Sequence, residues 1–307
     1  MTPPHPDARP ALATAVLCYT LWGFFPLLFQ ALGRLEVGAW EMIAHRALWS
    51  APFALVLVLL ARQWTQVRAA LATPRVMGWL ALTSALVGVN WAMFVYATTS
   101  GHTLEAALGY YLNPLMNMAA GALLFRERID RLGQLAIAFA AVGVAVQTAA
   151  LGAPPWLSMG MAVSFCAYGV IRKRIPVAAQ SGLLIECLAL TLPGLVYVLW
   201  LETQGNGHFL QGFLPGPLLV LSGLVTVVAL ASFAWAARRL PLSTMGFLQF
   251  IGPTLNFAIG LSNGEPFTPL RALSFVFIWA GVAVFALSAV RRRRAPALSP
   301  HLSTVEP

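Results

Sequence analysis

Two prolines inside long apolar runs are each followed by an asparagine three residues later. Asn117 follows Pro114, and Asn256 follows Pro253. A proline removes one backbone donor from a helix and leaves the carbonyl four residues earlier without its partner. Polar groups at such depth in an apolar segment usually face a cavity or another helix. We therefore predict helix breaks at Pro114 and Pro253 beside a cavity for a polar solute. The alternative is a pair of kinks in which each asparagine bonds a neighbouring helix.

Other polar and aromatic side chains in apolar runs could complete the wall of this cavity. Tryptophan and tyrosine offer large flat surfaces with one polar atom, and amides can both donate and accept hydrogen bonds. Ordinary packing remains the alternative for the two tryptophans. The predicted substrate cavity is lined by Trp22, Asn90, Trp91, Tyr110, Asn113, Asn117, Gln249 and Asn256.

Few charged residues lie within or beside the apolar runs, and such residues are usually functional or paired. We predict one cluster at each membrane face, with Arg46 beside Glu105 outside and Glu186 beside Arg238 or Arg239 inside. As a hypothesis, the clusters act as alternating gates and Glu186 carries a proton. Static ion pairs are the alternative. The candidate gating or proton-coupling residues are Glu41, His45, Arg46, Glu105, Glu186, Arg238 and Arg239.

The two proline-centred runs belong to a longer internal similarity. Phe94 and Ala97 recur as Phe233 and Ala236, and the tetrapeptide Gly-Val-Ala-Val that begins at position 143 recurs at position 281. The offset stays close to that between the two prolines. A constant offset over several matches indicates an internal duplication.

Composition places the chain in the membrane. Of 307 residues, 59% are hydrophobic and only 9% are charged, whereas a soluble domain has about 25% charged residues. The net charge of +9 does not indicate nucleic-acid binding, because the basic residues lie between apolar runs and not along one face. The lipid bilayer is therefore an expected partner, and nucleic acid is not.

Ten apolar runs approach the length of about 20 residues that a spanning helix needs. If the N-terminus lies in the cytoplasm, nearly all of the 19 basic residues fall in cytoplasmic segments. The exceptions are Arg34, Arg46 and Arg271. This bias predicts cytoplasmic termini and an even number of spans. The expected spans are 11–32, 42–61, 76–98, 104–125, 132–150, 155–171, 182–201, 216–236, 242–262 and 270–290.

Two halves with five spans each must enter the bilayer in opposite orientations. The predicted fold is therefore an all-α polytopic membrane protein with ten transmembrane helices in two inverted five-helix repeats, residues 11–150 and 151–290. Residues 1–10 and 291–307 are expected to be cytoplasmic tails, the second one basic. Inverted repeats are common in secondary transporters, whose substrate sites lie at the repeat interface.

Motifs for catalysis, metal binding or cofactor binding are not found in this sequence. The five histidines are scattered, and no zinc-protease, nucleotide-binding or nucleophile-elbow motif occurs. Cys18, Cys166 and Cys187 lie inside apolar runs without metal-ligand spacing and are expected to be small buried side chains. We expect neither an enzyme nor a bound cofactor or metal.

Several motifs together resemble the RarD proteins, a family associated with chloramphenicol sensitivity in the EamA branch of the drug/metabolite transporter superfamily. The similar segments begin at Tyr19 (YTLWG), Glu41 (EMIAHRALWS), Leu104 (LEAALGY) and Leu242 (LST, followed by QFIGPT), and they include Asn90-Trp91. The resemblance covers roughly residues 11 to 290. It implies ten helices in two EamA repeats in a bacterial inner membrane. The positions that match the family pattern are Glu41, His45, Arg46, Asn90, Glu105, Tyr110, Asn113, Glu186, Gln249 and Pro253.

The combined interpretation is a secondary transporter that exports small metabolites or drugs by alternating access, with proton coupling as a hypothesis. Import remains open. Amino acids or related polar metabolites fit the amide and phenol groups, whereas a chloramphenicol-like molecule would stack on Trp22 or Trp91. The alternative function is a non-transporting membrane scaffold or sensor. The sequence does not indicate the oligomeric state.

Overall fold

A computed structural model describes residues 8–125, 130–237, 239–240, 245 and 248–294, and this part of the chain is helical without strands. The long apolar runs satisfy their backbone groups internally, as a lipid environment requires. The helices are α1 (Ala8–Arg34), α2 (Ala39–Leu60), α3 (Trp64–Leu71), α4 (Pro74–Thr99), α5 (Thr103–Phe125), α6 (Arg131–Leu151), α7 (Trp156–Arg174), α8 (Ala179–Thr203), α9 (Pro215–Ala237), α10 (Ile251–Ser262) and α11 (Pro269–Arg294).

Seven of the described helices are long and apolar enough to cross a membrane: α1, α2, α4, α6, α8, α9 and α11. The expectation of an all-α polytopic membrane protein is therefore confirmed. Helices α5 and α7 match two further expected spans in position, and α10 covers the second half of the expected span 242–262. Most of the first half of that span, residues 242–244 and 246–247, lies outside the described residues. The count of ten spans stays a prediction.

The two prolines have different local structures. Helix α5 runs through Pro114 without interruption, so the predicted break at this position is wrong. A single proline removes one hydrogen bond, and the backbone bonds on either side keep the helix continuous. Pro253 lies in the first turn of α10, just after a turn at Gln249 and Phe250. A proline is tolerated there because the first amides of a helix have no partner within it.

The short helix α3 was not expected from the apolar pattern. It has only eight residues and lies between two spans, where the hydropathy of the sequence falls. Val67 and Ala70 are its buried residues, and the helix packs on α4 and α8. Helix α3 therefore fastens the segment between α2 and α4 to the start of α8.

The packing of the long helices brings α2 to the centre of the described bundle. Helix α2 packs on both α8 and α9, while α1 packs on α9 and α10. Helix α7 packs on α4 and α5, and α6 pairs with α11. Close contacts between helices in lipid depend on small residues and on hydrogen bonds between helices. One such bond joins Ser274 Oγ of α11 to the carbonyl of Gly143 in α6, at 2.9 Å.

Candidate functional site

Arg46 of α2 is a buried cation held among aromatic rings. Its side chain is only 4% exposed. The guanidinium carbon lies 4.0 Å from the centre of the Trp91 ring, 5.0 Å from that of Phe25 and 5.7 Å from that of Phe29. Its Nε donates a hydrogen bond to Thr226 Oγ1 of α9 at 3.0 Å. We call Arg46, Trp91, Phe25, Phe29 and Thr226 the arginine cage.

The close approach of α9 to α2 places Thr226 beside Arg46. A Cβ atom at Gly223 would lie 2.6 Å from the backbone carbon of Trp49, so only glycine fits at this crossing. Ser50 Oγ donates to the carbonyl of Gly223 at 3.4 Å. One turn of helix separates Gly223 from Thr226, and the crossing therefore fixes the hydrogen-bond acceptor of the Arg46 Nε atom.

Tyr110 of α5 lies at the edge of the arginine cage. It packs against the apolar cluster that contains Phe25 and Phe29, and its ring centre lies 5.3 Å from that of Phe94. Of the predicted cavity residues, Trp91 and Tyr110 are thus brought together by the fold. They meet at Arg46, which the sequence analysis had placed in a gate.

Asn90 and Trp22 have mainly packing contacts. The Asn90 amide Nδ2 donates to the carbonyl of Met161 at 2.9 Å and to Ser164 Oγ at 3.1 Å, which ties α4 to α7. Trp22 lies in an aromatic group with Tyr19 and Phe233, with ring-centre distances of 5.7 and 6.0 Å. These contacts agree with the packing alternative for Trp22.

The asparagines around the two prolines divide into buried and exposed members. Asn113 and Asn256 are each 1% exposed, and the Oδ1 atom of each has no hydrogen-bond partner in the described part of the chain. Asn117 is exposed, and Gln249 lies half-buried in the turn before α10. Helices α5 and α10 are joined nearby by a 2.8 Å hydrogen bond between Tyr111 Oη and Thr254 Oγ1.

In the first turn of α2, Glu41 contacts the segment between α8 and α9. Its carboxylate accepts a hydrogen bond from the backbone amide of His208 at 2.7 Å and lies 2.8 Å from His208 Nδ1. The adjacent Phe209 stacks on His45 at 4.9 Å and on Trp49 at 5.6 Å between ring centres. We call these five residues the outer clamp.

The predicted pair of Arg46 and Glu105 is not formed. Arg46 bonds Thr226 instead, while Glu105 lies in the first turn of α5, where its backbone carbonyl accepts a hydrogen bond from Ser158 Oγ at 2.7 Å. The reason is the position of α9. This helix packs directly on α2 and supplies the acceptor that Arg46 uses.

Glu186, in the first half of α8, forms a second buried charged site. It is 2% exposed, and it accepts hydrogen bonds from Thr83 Oγ1 at 2.7 Å and from the Tyr168 phenol at 3.1 Å. Arg172 Nε lies 3.6 Å from its carboxylate. A carboxylate shared by α4, α7 and α8 therefore joins three helices.

Of the two basic partners expected for Glu186, Arg239 does not contact it in the described part of the chain. Arg172 takes the place predicted for Arg239, whose guanidinium stacks 4.0 Å above the Trp235 ring. The other predicted partner, Arg238, lies outside the described residues. The end of α7 folds back onto the start of α8 and brings Arg172 against Gly182.

A polar group at the start of α8 was not predicted from the sequence. Ser181 Oγ lies 3.0 Å from Oε1 of both Gln63 and Gln66, and Gln63 Nε2 donates to Gln180 at 3.2 Å. We call these four residues the inner clamp. Glutamines in a short polar segment carry no periodic signal, so the sequence offered little to identify them.

Two cavities lie apart from the predicted cavity residues. One, of about 440 Å³, is lined by Thr14, Leu57, Gln180, Ala231, Ser232, Ala234, Trp235 and Arg239. The other, of about 510 Å³, is apolar and adjoins Phe209 of the outer clamp. Among the described residues, no group of three or more His, Cys, Asp or Glu side chains could hold a metal ion.

Comparison with known proteins gives a consistent set of relatives. Residues 9–148 match the EamA-like transporter family. The chain is 40% identical to an uncharacterized transporter of Vibrio cholerae, over 95% of this chain and 96% of that protein. It is 38% identical to the protein RarD of Escherichia coli, over 94% and 97% of the two chains.

A more distant relative and a solved structure extend the comparison. The chloramphenicol-sensitive protein RarD of Pseudomonas aeruginosa is 33% identical over 92% of this chain and 94% of its own length. A crystal structure with 20% sequence identity superposes with a TM-score of 0.58, over 94% of this chain and 99% of that one. At this identity, the superposition supports the fold alone.

Proposed function

The chain belongs to the RarD family of EamA-like transporters, a family of transporters and not of enzymes, and on this premise we propose that it exports small metabolites or drugs by alternating access. It is a multi-pass protein of a bacterial membrane; the proposal places it in the inner membrane with both termini in the cytoplasm. The observation that carries the proposal is a buried polar site, the arginine cage, with one clamp on either side of it along α2 and α8.

Pairwise helix packing supports the proposed inverted repeat. If α1, α2, α4, α5 and α6 are equivalent to α7, α8, α9, α10 and α11, a two-fold axis must repeat every contact with the halves exchanged. The contact of α1 with α9 then corresponds to that of α7 with α4, and the contact of α2 with α9 to that of α8 with α4. Helices α2 and α8, and likewise α6 and α11, pack on their own equivalents.

The same reciprocity holds for single residues in α6 and α11. A Cβ atom at Gly143 would lie 3.1 Å from the carbonyl oxygen of Ser274, and one at Gly281 would lie 3.0 Å from that of Ala136. Gly143 and Gly281 have the same offset in sequence as Ala136 and Ser274. Each half thus gives the other the same contact, as expected for two copies related by a two-fold axis.

The two clamps are also equivalent in this scheme. In the outer clamp, the segment after α8 bonds the start of α2 through His208 and Glu41. In the inner clamp, the segment after α2 bonds the start of α8 through Gln63 and Ser181. Alternating access requires one clamp to open while the other stays closed. The hydrogen bonds of both clamps would then be the contacts that break and reform in each cycle.

The proposal also includes coupling to protons, with Glu186 as the group that binds and releases the proton. A carboxylate inside the membrane is costly unless it is paired or has a function. From α8, Glu186 contacts α4 of the first proposed half through Thr83 and α7 of the second through Tyr168 and Arg172. Protonation would weaken its attraction to Arg172 and so loosen α7 from α8. Uptake and release of one proton would thereby favour different arrangements of the halves.

Flux through purified protein tests the proposal. Proteoliposomes would be loaded with the twenty amino acids, a set of small carboxylates and chloramphenicol, the compound in the name of the Pseudomonas aeruginosa relative. Mass spectrometry of the external solution should detect protein-dependent release of a subset of these solutes. Empty liposomes, and liposomes with a heat-inactivated sample, provide the controls. Release at the rate of empty liposomes would favour a scaffold or sensor instead.

A further inference from the structure

Arg46 is a buried cation without an anionic partner in the described part of the chain. Its hydrogen bond to Thr226 uses one of the five N–H donors of a guanidinium, and Nη1 is buried without any acceptor. From this we propose that Arg46 binds the carboxylate of the transported solute, which makes carboxylate-bearing metabolites the substrate class. This inference rests on the proposed transport function and adds the chemistry of the solute to it.

The surroundings of Arg46 do not supply the missing negative charge. The rings of Trp91, Phe25 and Phe29 stabilise a cation through their π faces but accept no strong hydrogen bond. Thr226 and Tyr110 contribute neutral hydroxyl groups. A buried charge without a counter-ion is costly, and charged groups within membranes are retained mainly where they pair or function. A transported anion would satisfy Arg46 during the part of the cycle in which it is bound.

The geometry of arginine favours a carboxylate over other anions. The planar guanidinium presents parallel N–H groups that match the two oxygens of a carboxylate in a bidentate pair. One carboxylate neutralises one guanidinium, whereas a phosphate dianion would leave an excess negative charge among apolar rings. Because Nε is held by Thr226, the Nη atoms are the groups left for the solute.

Binding of matched acid and amide pairs tests this assignment without any transport. Acetate and acetamide, lactate and lactamide, and benzoate and benzamide would be titrated into protein in nanodiscs by isothermal titration calorimetry. For at least one pair, we expect the wild-type protein to bind the carboxylate at least tenfold more tightly than its amide. No preference for the carboxylate in any pair would overturn the proposal.

Variants show whether Arg46 causes the preference. Arg46→Gln should abolish the preference for the carboxylate. Arg46→Lys should retain part of this preference, because lysine keeps the positive charge but lacks the parallel N–H groups of the guanidinium. Arg62→Gln, at an exposed arginine, is the matched control and should bind like the wild type. An Arg46→Gln protein that still prefers carboxylates would contradict the assignment. If the variants do not fold, protection of Arg46 from phenylglyoxal by benzoate, read by peptide mass spectrometry, decides instead.

Failure of this inference is distinguishable from failure of the proposed function. Protein-dependent flux of neutral solutes, together with equal binding of acids and amides, would overturn the role of Arg46 and leave transport intact. Arg46-dependent binding of carboxylates without flux would support the anion site and contradict transport.

Discussion

The carboxylate of Glu265 accepts a hydrogen bond from the backbone amide of Leu104 at 2.8 Å. Its other oxygen accepts one from the amide of Thr103, so the residue caps the N-terminus of α5 from 161 positions away in sequence. The first amides of a helix lack partners within it, and an anion there also interacts favourably with the helix dipole. Glu265 therefore fixes the start of α5 against the end of α10.

Removal of this cap should destabilise the fold. Glu265→Ala leaves the two buried amides without an acceptor, and we expect a loss of about 0.5–2 kcal/mol of stability, the usual cost of a lost helix cap. Thermal unfolding in detergent, followed by circular dichroism, measures the change. Glu36→Ala, at an exposed residue, is the control and should leave the midpoint unchanged. Equal midpoints for both variants would contradict the role of the cap.

The reciprocal contacts of Gly143 and Gly281 predict matched effects of substitution. A methyl group at Gly143 would meet the Ile278 side chain at 2.7 Å, and one at Gly281 would meet Phe139 at 3.3 Å, in addition to the two carbonyl contacts. Gly143→Ala and Gly281→Ala should each cost about 1–3 kcal/mol, as overpacking usually does. Gly78→Ala, at a site with open space around it, should be tolerated. Unchanged unfolding midpoints for the first two variants would argue against close packing of α6 on α11.

The role proposed for Glu186 predicts a change in pH dependence. Glu186→Gln keeps the hydrogen-bond acceptor for Thr83 but cannot release a proton, so transport by this variant should no longer respond to an imposed proton gradient. Flux into proteoliposomes at a series of internal and external pH values is the measurement. Thr83→Val is the control, since it removes the 2.7 Å hydrogen bond to the same carboxylate without removing the carboxylate itself. A Glu186→Gln protein with the same response to the gradient as the wild type would exclude Glu186 as the proton carrier.

The proposed orientation predicts which loops face the cell exterior. Ser100 follows α4 and Thr73 precedes it, and both residues are exposed. With the termini in the cytoplasm, a membrane-impermeant thiol reagent should label Ser100→Cys in intact spheroplasts, and label Thr73→Cys only after lysis. The native thiols Cys18, Cys166 and Cys187 are buried and should contribute little background. The opposite labelling pattern would reverse the orientation.

Sequence reasoning succeeded where the signal was periodic or compositional. Long apolar runs and the near absence of charge predicted the helices, because a spanning segment has to be apolar along its length. Side-chain partners were predicted less well. Arg46 was expected beside Glu105, and Glu186 beside Arg239, since the sequence does not show which helices pack together. The clamps also depend on short polar segments, such as that of Gln63, whose contacts arise only from the tertiary fold.

Pro114 shows a second limit of predicting local structure from the sequence. Its sequence context matches that of Pro253, yet α5 continues through Pro114 while α10 begins two residues before Pro253. A proline restricts the backbone, but neighbouring hydrogen bonds and packing determine whether the helix breaks. The duplicated motif therefore did not predict the same local structure at both prolines.

The central claim is that the outer clamp must open for solute to move. Glu41→Cys and His208→Cys, combined in a protein without native cysteines, place two thiols where Glu41 and His208 are in direct contact. The flux of a solute found to be transported would be measured in proteoliposomes before and after treatment with a short, cleavable bifunctional thiol reagent. Each single variant, treated in the same way, is the control.

The account predicts that the cross-link lowers flux at least tenfold, that cleavage of the reagent restores it, and that the single variants are unaffected. A fully cross-linked protein that transports as fast as the untreated double variant would contradict alternating access through this clamp.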